Sequence, residues 1–143
     1  MKIYLVLILV TIASCSFDSG PEKALKNFIN YSVSDGQERS YYIDNTTGNM
    51  LSFYQKLSDE EFDEVKKTGI ERIKKIEINL SKCSETNCSI TYTLKYTKDK
   101  GSDNEADSEV RKIAELEKQD GTWKIADVLN IKTYINSKVP LNP

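Results

Sequence analysis

Asp127 and Lys112 are the residues whose types and expected positions suit proton transfer. Asp120-Gly121 separates two alternating runs and favours a two-residue type I′ turn, which pairs 119 with 122. Counting outward brings 116 opposite 125, 114 opposite 127 and 110 opposite 131. One face then collects Val110, Ala114, Leu116, Trp123, Ile125, Leu129 and Ile131, with Asp127 between Ile125 and Leu129. A carboxyl among apolar neighbours has its charged form disfavoured, so its pKa rises and it can serve as a base. Lys112 pairs with 129 on that face and reaches Asp127 diagonally. The same placement describes a structural ion pair, or an acid that simply faces water, and these are the preferred readings because structural ion pairs also perturb pKa values.

The aromatic residues suit binding. Tyr41, Tyr42, Tyr54, Tyr92, Tyr96 and Tyr134 carry flat apolar rings with polar tips. Tyr92, Tyr96 and Trp123 are the foremost candidates for contact with a small ligand. Alternating tyrosines also suit a half-buried sheet face, where they need no ligand. Histidine is absent. That removes the commonest general base and the commonest metal ligand together. Asp103, Glu105 and Asp107 are spaced like calcium ligands, but the glycine turn and closing glutamate are missing, so 98–108 reads as a solvent loop. No cofactor and no metal are expected. The chain has 20 basic and 22 acidic residues and a formal net charge of −2. No basic face emerges, so nucleic acid is not an expected partner.

Three cysteines occur. Cys15 follows a short cationic start at Lys2, an apolar run from Ile3 to Val10, and Ile12-Ala13-Ser14. This is the layout of a secretory signal, and its apolar run is too short to span a bilayer, which takes roughly 20 residues. Ile12-Ala13-Ser14-Cys15 resembles the bacterial lipobox, in which the cysteine is acylated and becomes the new N-terminus. The resemblance implies a signal peptide over 1–14, a lipidated tether over 15–20 and a membrane partner through lipid on Cys15. It also implies a cell-envelope location, at the outer membrane facing the periplasm in a two-membrane cell, since Ser16 rather than Asp follows. Cys83 and Cys88 then remain as an even pair in an exported chain and read as a disulfide. Closing so short a loop contributes roughly 2 kcal/mol in the chain-entropy model.

The elements that must position these groups follow from periodicity. Pro21 suits a helix first turn, and Ala24, Leu25, Phe28 and Ile29 recur at helical spacing to about Val33. Residues 38–57 are hardest to assign: Tyr41, Tyr42 and Ile43 lead into a turn-rich run, then Met50 to Leu57 reads as a short helix. Ser58 with Glu61 forms a capping box for the next helix, which carries Phe62 and Val65 and stops at Gly69. Two or three short helices thus precede any strand. From Ile70 the period becomes two, with Ile76, Ile78 and Leu80 facing Ile90, Tyr92 and Leu94 across a hairpin. The disulfide sets 80 opposite 91, whereas apolar matching sets 80 opposite 90, 78 opposite 92 and 76 opposite 94. A slip of one residue flips every side chain, so a bulge between Leu80 and Cys83 and a curved sheet are expected.

Pro21-Glu22-Lys23-Ala24 opening helix one, and Asp120-Gly121-Thr122-Trp123-Lys124-Ile125-Ala126-Asp127-Val128 in the last hairpin, follow a recognisable order. The stretch from 21 to 136 resembles small bacterial lipoproteins of the nuclear-transport-factor-like fold, with 137–143 as a C-terminal tail. The resemblance implies an α+β domain in which N-terminal helices pack on a curved four-stranded antiparallel sheet shaped like a cone. Enzymatic members such as ketosteroid isomerase use a carboxylate base inside the cone with a Tyr or second carboxyl as oxyanion donor. Asp127 would be that base in a small isomerase or cyclase. Histidine-dependent dehydratase chemistry is out of reach. Many members are not enzymes, and fold alone assigns no activity. The favoured expectation is a non-enzymatic binding module for an envelope protein partner or a small apolar ligand.

Overall fold

The computed structural model describes residues 20–67, 72–98, 101 and 105–137, the last three of them by backbone alone. Cys15 and the signal before it, the Gly69 stop, Asp103 and the tail from 138 lie outside the described residues. Four helices come first: α1 (Pro21–Tyr31), α2 (Arg39–Asn45), α3 (Gly48–Lys56) and α4 (Asp59–Lys67). Four strands follow, β1 (Arg72–Cys83), β2 (Asn87–Lys98), β3 (Ala106–Gln119) and β4 (Thr122–Ser137). They form one open antiparallel sheet in the order β1-β2-β3-β4, so the chain is α+β and β1 and β4 are its edges.

Local chemistry explains the helix ends. Ser58 N–H donates to Glu61 Oε2 at 2.7 Å while Glu61 N–H donates to Ser58 Oγ at 3.2 Å, the reciprocal capping box expected before α4. α1 stops at Tyr31, where Ser32 Oγ bonds back to Ile29 O at 2.7 Å. The stretch 38–57 resolves into α2 and α3, parted only by Thr46 and Thr47. Both threonines are buried because the corner they make inserts against β4. Thr46 pairs in parallel with Ile125, and Thr47 N–H donates to Ile125 O at 2.8 Å. Gln119 Nε2 donates to Thr47 Oγ1 at 2.7 Å. A Cβ on Gly48, whose φ is +52°, would sit 3.3 Å from Ala126 O. Glycine is required there by both the backbone angle and the close approach.

One face of the sheet carries the core. Leu25 of α1 and Ile90, Ala114, Leu116 and Ile125 of the strands are all essentially buried. Burying each aliphatic side chain contributes roughly 1.5–3 kcal/mol before ordering entropy is subtracted. α1 touches both edge strands, β1 and β4, and Ser81 Oγ of β1 donates to Glu22 Oε1 of α1 at 2.6 Å.

The two hairpins treat their expected registers differently. Between β1 and β2, Cys83 faces Cys88 and Leu80 faces Thr91, as a disulfide register demands. Ile78 faces Tyr92 and Ile76 faces Leu94, as apolar matching demands. One bulge at Asn79 reconciles them, just below Leu80 rather than between Leu80 and Cys83. Leu80 therefore keeps the disulfide register and lands on the outer face, 50% exposed. A second shift falls at Lys74.

Between β3 and β4 the expected register holds only near the turn. Gln119 faces Thr122 and Leu116 faces Ile125, with Asp120 at φ 51° and Gly121 at φ 80° as a type I′ turn requires. A bulge at Ala126 then sets Asp127 opposite Glu115 and Val128 opposite Ala114. Another at Ile131 sets Lys132 opposite Arg111 and Thr133 opposite Val110. The expected pairs 114 with 127, 112 with 129 and 110 with 131 are thus corrected. Leu129 and Ile131, expected in the core, are 55% and 50% exposed. The first bulge falls where the α2–α3 corner docks, with Gly48 close against Ala126 O.

Candidate functional site

The Ala126 bulge separates the two residues suited to proton transfer. Asp127 joins Glu115 and Leu129 on the outer face, whereas Lys112 faces Tyr92 and Asn130 on the inner, core-bearing face. Asp127 Oδ2 accepts from Asn49 Nδ2 at 3.0 Å, and Oδ1 accepts from the Val128 N–H at 2.8 Å. Oδ2 thus ties β4 to α3, while Oδ1 is engaged within β4 itself. Lys112 has no ion pair among the described residues, and burial pushes its ammonium below the ordinary lysine range. The structure brings neither an acid–base pair nor an ion pair together here.

The tyrosines mostly fill volume. Tyr42 stacks on Tyr54 at 4.5 Å between centroids and meets Phe28 and Phe62 edge-on at 5.6 and 5.7 Å. Tyr31 stacks on Tyr41 at 3.6 Å. This cluster belongs to the helical layer, so Tyr41, Tyr42 and Tyr54 are not sheet residues. Tyr42 O–H donates to Gln37 Oε1 at 2.5 Å. Burial pushes the Tyr54 phenol up to about 12 and raises Tyr92 and Tyr42 further. Tyr92 and Trp123 are buried among core side chains, and Lys118 Nζ lies 5.8 Å from the Trp123 ring centroid.

Tyr96 borders a cleft of about 210 Å³ with Lys74, Lys95, Asp107, Ser108 and Glu109. The lysines there are already matched: Lys74 bonds Asp107 at 2.6 Å, and Lys95 lies 3.4 Å from Glu77 and 3.8 Å from Glu109. No net charge remains to hold an ion. A larger depression of about 620 Å³ runs over polar and charged residues of α1, from Gly20 to Asn30. Among the described residues no group of acids and cysteines is arranged to hold a metal. No described helix is long and apolar enough to cross a membrane.

The unusual surface lies on β4. Leu129, Ile131 and Tyr134 are 55%, 50% and 49% exposed, and Ile113 sits opposite Leu129 on the same outer face. Lys132 Nζ lies 4.6 Å from the Tyr134 ring centroid. The free side of β4 is covered at Ile125 by Thr46 and Thr47. From Asp127 to Ser137 no described element pairs with that side. The result is an apolar strip beside an unpaired strand edge. Solitary exposed apolar residues are ordinary, whereas a clustered set beside open backbone marks an interaction surface. Its trace in the sequence is the consecutive apolar pairs Ile125-Ala126, Val128-Leu129 and Tyr134-Ile135, which break strict alternation.

No protein-family model matches the chain, and no curated protein sequence does either. Two solved structures share its fold. A SEC-C motif containing protein from Rhodopseudomonas palustris is similar at a TM-score of 0.55 and 11% identity, over 78% of this chain and 79% of that one. The intermembrane space region of the chloroplast protein ARC6 is similar at a TM-score of 0.51 and 10% identity, over 79% of this chain and 92% of that one. At such identities the likeness concerns the fold alone.

Proposed function

We propose that this chain is a cell-envelope lipoprotein, anchored by acyl chains on Cys15, that acts as a non-enzymatic binding module for a protein partner. The anchor rests on the Ile12-Ala13-Ser14-Cys15 sequence after its short apolar run, because two or more acyl chains hold a protein stably at a membrane. Ser16 favours the outer membrane in a two-membrane cell. The nuclear-transport-factor-like, cone-like reading is supported by the helices-then-strands order, by the contact of α1 with both edge strands, and by bulges that bend their strands.

The observation that carries the binding reading is the strip of Leu129, Ile131 and Tyr134 beside the unpaired side of β4. A protein partner suits it better than a small apolar ligand, because the interior is filled by Leu25, Ile90, Ala114 and Ile125. An isomerase or cyclase using Asp127 has less support, since Asp127 lies on the outer face with Glu115, away from the core-bearing side of the sheet. The test expresses the full chain, Cys15→Ser and Leu129→Lys/Ile131→Lys in a lipoprotein-processing bacterium. Metabolic palmitate labelling should vanish only with Cys15→Ser. Whole-cell chemical crosslinking should yield adducts that the Leu129→Lys/Ile131→Lys variant loses. Palmitate on the serine variant would refute the anchor, and adducts indifferent to the double variant would refute the surface.

A further inference from the structure

We infer that the occupant of the β4 edge is a second copy of this chain, joined antiparallel about a two-fold axis perpendicular to the sheet. The inference rests on the binding reading above and names the partner of that surface. Its first ground is charge. From Asp127 to Ser137 the strand holds two charged residues, Asp127 and Lys132. The opposite edge, β1, carries Arg72, Lys74, Lys75 and Lys82 against Glu77. A head-to-tail contact of β4 on β1 would bring Lys132 to that basic row, and β1 on β1 would oppose it to itself. Like charges directly opposed destabilise strand pairs. Of the three edge pairings open to two copies, β4 on β4 brings together the fewest like charges, one Lys132 from each copy, and it closes after two subunits instead of growing into a filament.

The second ground is the bulge at Ile131. Leu129 pairs with Ile113 and Tyr134 with Glu109, so both lie on the outer face although five positions apart, an odd spacing that a regular strand would split between faces. Asn130 and Thr133 share the inner face for the same reason, opposite Lys112 and Val110. An antiparallel two-fold that sets Leu129 against Tyr134 of the second copy also sets Asn130 against its Thr133. Both pairs lie on a common face, and each occurs twice; between them the bulged Ile131 meets Lys132 of the second copy. The two most widely spaced exposed apolar residues of the strip thereby cover each other, and aromatic–aliphatic cross-strand pairs stabilise sheets. The corner at Thr46–Thr47 occupies the edge at Ile125 and stops the second copy from sliding further toward the turn.

The experiment uses the full chain carrying Cys15→Ser, studied by sedimentation equilibrium over a wide concentration range. A monomer–dimer equilibrium is expected, weakened by about tenfold or more in either Leu129→Lys or Tyr134→Lys, because an interface centre concentrates its binding energy. Circular dichroism of each variant should match the parent, and two independent variants guard against one misfolding. For the register, Leu129→Cys and Tyr134→Cys proteins are oxidised apart and mixed. A disulfide-linked dimer should form efficiently on mixing and poorly with either protein alone. A protein monomeric throughout, a dimer indifferent to both lysine variants, or equal crosslinking without mixing would each overturn the inference. If the protein is monomeric while Leu129→Lys/Ile131→Lys still abolishes crosslinking to other proteins in cells, the binding reading stands and the self-pairing fails.

Discussion

The two edges of this sheet expose the same kind of unpaired backbone and manage it in opposite ways. β1 arms its length with Arg72, Lys74, Lys75, Glu77 and Lys82, is kinked at Lys74 and Asn79, and is locked at its end by the Cys83–Cys88 disulfide. Charges and kinks of this sort discourage another strand from adding on. β4 borrows two threonines from the helical layer to cover Ile125, then runs on with Leu129, Ile131 and Tyr134 exposed. Charges and bulges guard one edge, whereas the other sets exposed apolar side chains beside backbone that no described element pairs.

Substitutions can break that comparison at graded cost. The largest effect is expected at Ile125, 1% exposed beneath the Thr46–Thr47 corner. Ile125→Ala should lose about 3 kcal/mol in urea unfolding, from lost transfer energy plus a cavity. Ile78→Ala, at a half-buried position of β1, should lose about 1 kcal/mol. Equal losses would mean that the β1 edge is as much core as the covered part of β4. Next comes Cys83→Ser with Cys88→Ser, expected to cost about 2 kcal/mol. Hydrogen exchange should then rise in the β1–β2 hairpin and stay unchanged along β4; a uniform rise would show that the edges are not independent.

The smallest effect is at Lys112, which faces Asn130 of β4. Burial lowers its pKa in the folded state, so the protonated form burdens the fold at neutral pH. Stability should rise with pH through the window between that lowered value and the ordinary lysine value near about 10.4, where the unfolded chain binds the extra proton. Lys112→Met should remove this rise, and its advantage over the parent, kept under about 1 kcal/mol by solvent screening, should shrink as pH climbs. Tyr54, raised to about 12, acts in the other direction. Above about pH 10 the unfolded chain loses phenol protons first and stability falls. Unfolding free energies of both proteins from pH 7 to 10.5 check the sign, and an advantage that grows with pH would refute it.

Local chemistry was readable and tertiary insertion was not. The Ser58–Glu61 box, the Asp120-Gly121 turn and the cysteine pair each rest on neighbours in sequence, and each forms as expected. The Asn79 bulge was foreseeable as a necessity, because two registers competed, although not at its position. The Ala126 bulge left only a fainter sign, the consecutive apolar pairs Ile125-Ala126 and Val128-Leu129. Trp123, Ile125, Asp127 and Leu129 continue a plausible alternation, and only the docking of Gly48 onto Ala126 O reveals the extra residue. That one residue turned Asp127 away from Lys112 and brought Leu129 to the surface. The tyrosines of 38–57 were opaque for a related reason: their shared centre, Tyr42, draws rings from three other helices that no periodicity connects.

The Thr46–Ile125 bridge also sets a timetable. Its two ends lie near opposite limits of the domain, and closing so long a loop delays the contacts that reward it. α2 and α3 emerge long before β4, so the Thr46–Thr47 corner has no strand to dock on until the last one arrives. The middle hairpin, tied by neighbours in sequence, can assemble early, while the corner at Thr46–Thr47 must wait for the last strand. The slowest step in making this molecule is therefore expected to be the docking of its beginning onto its end.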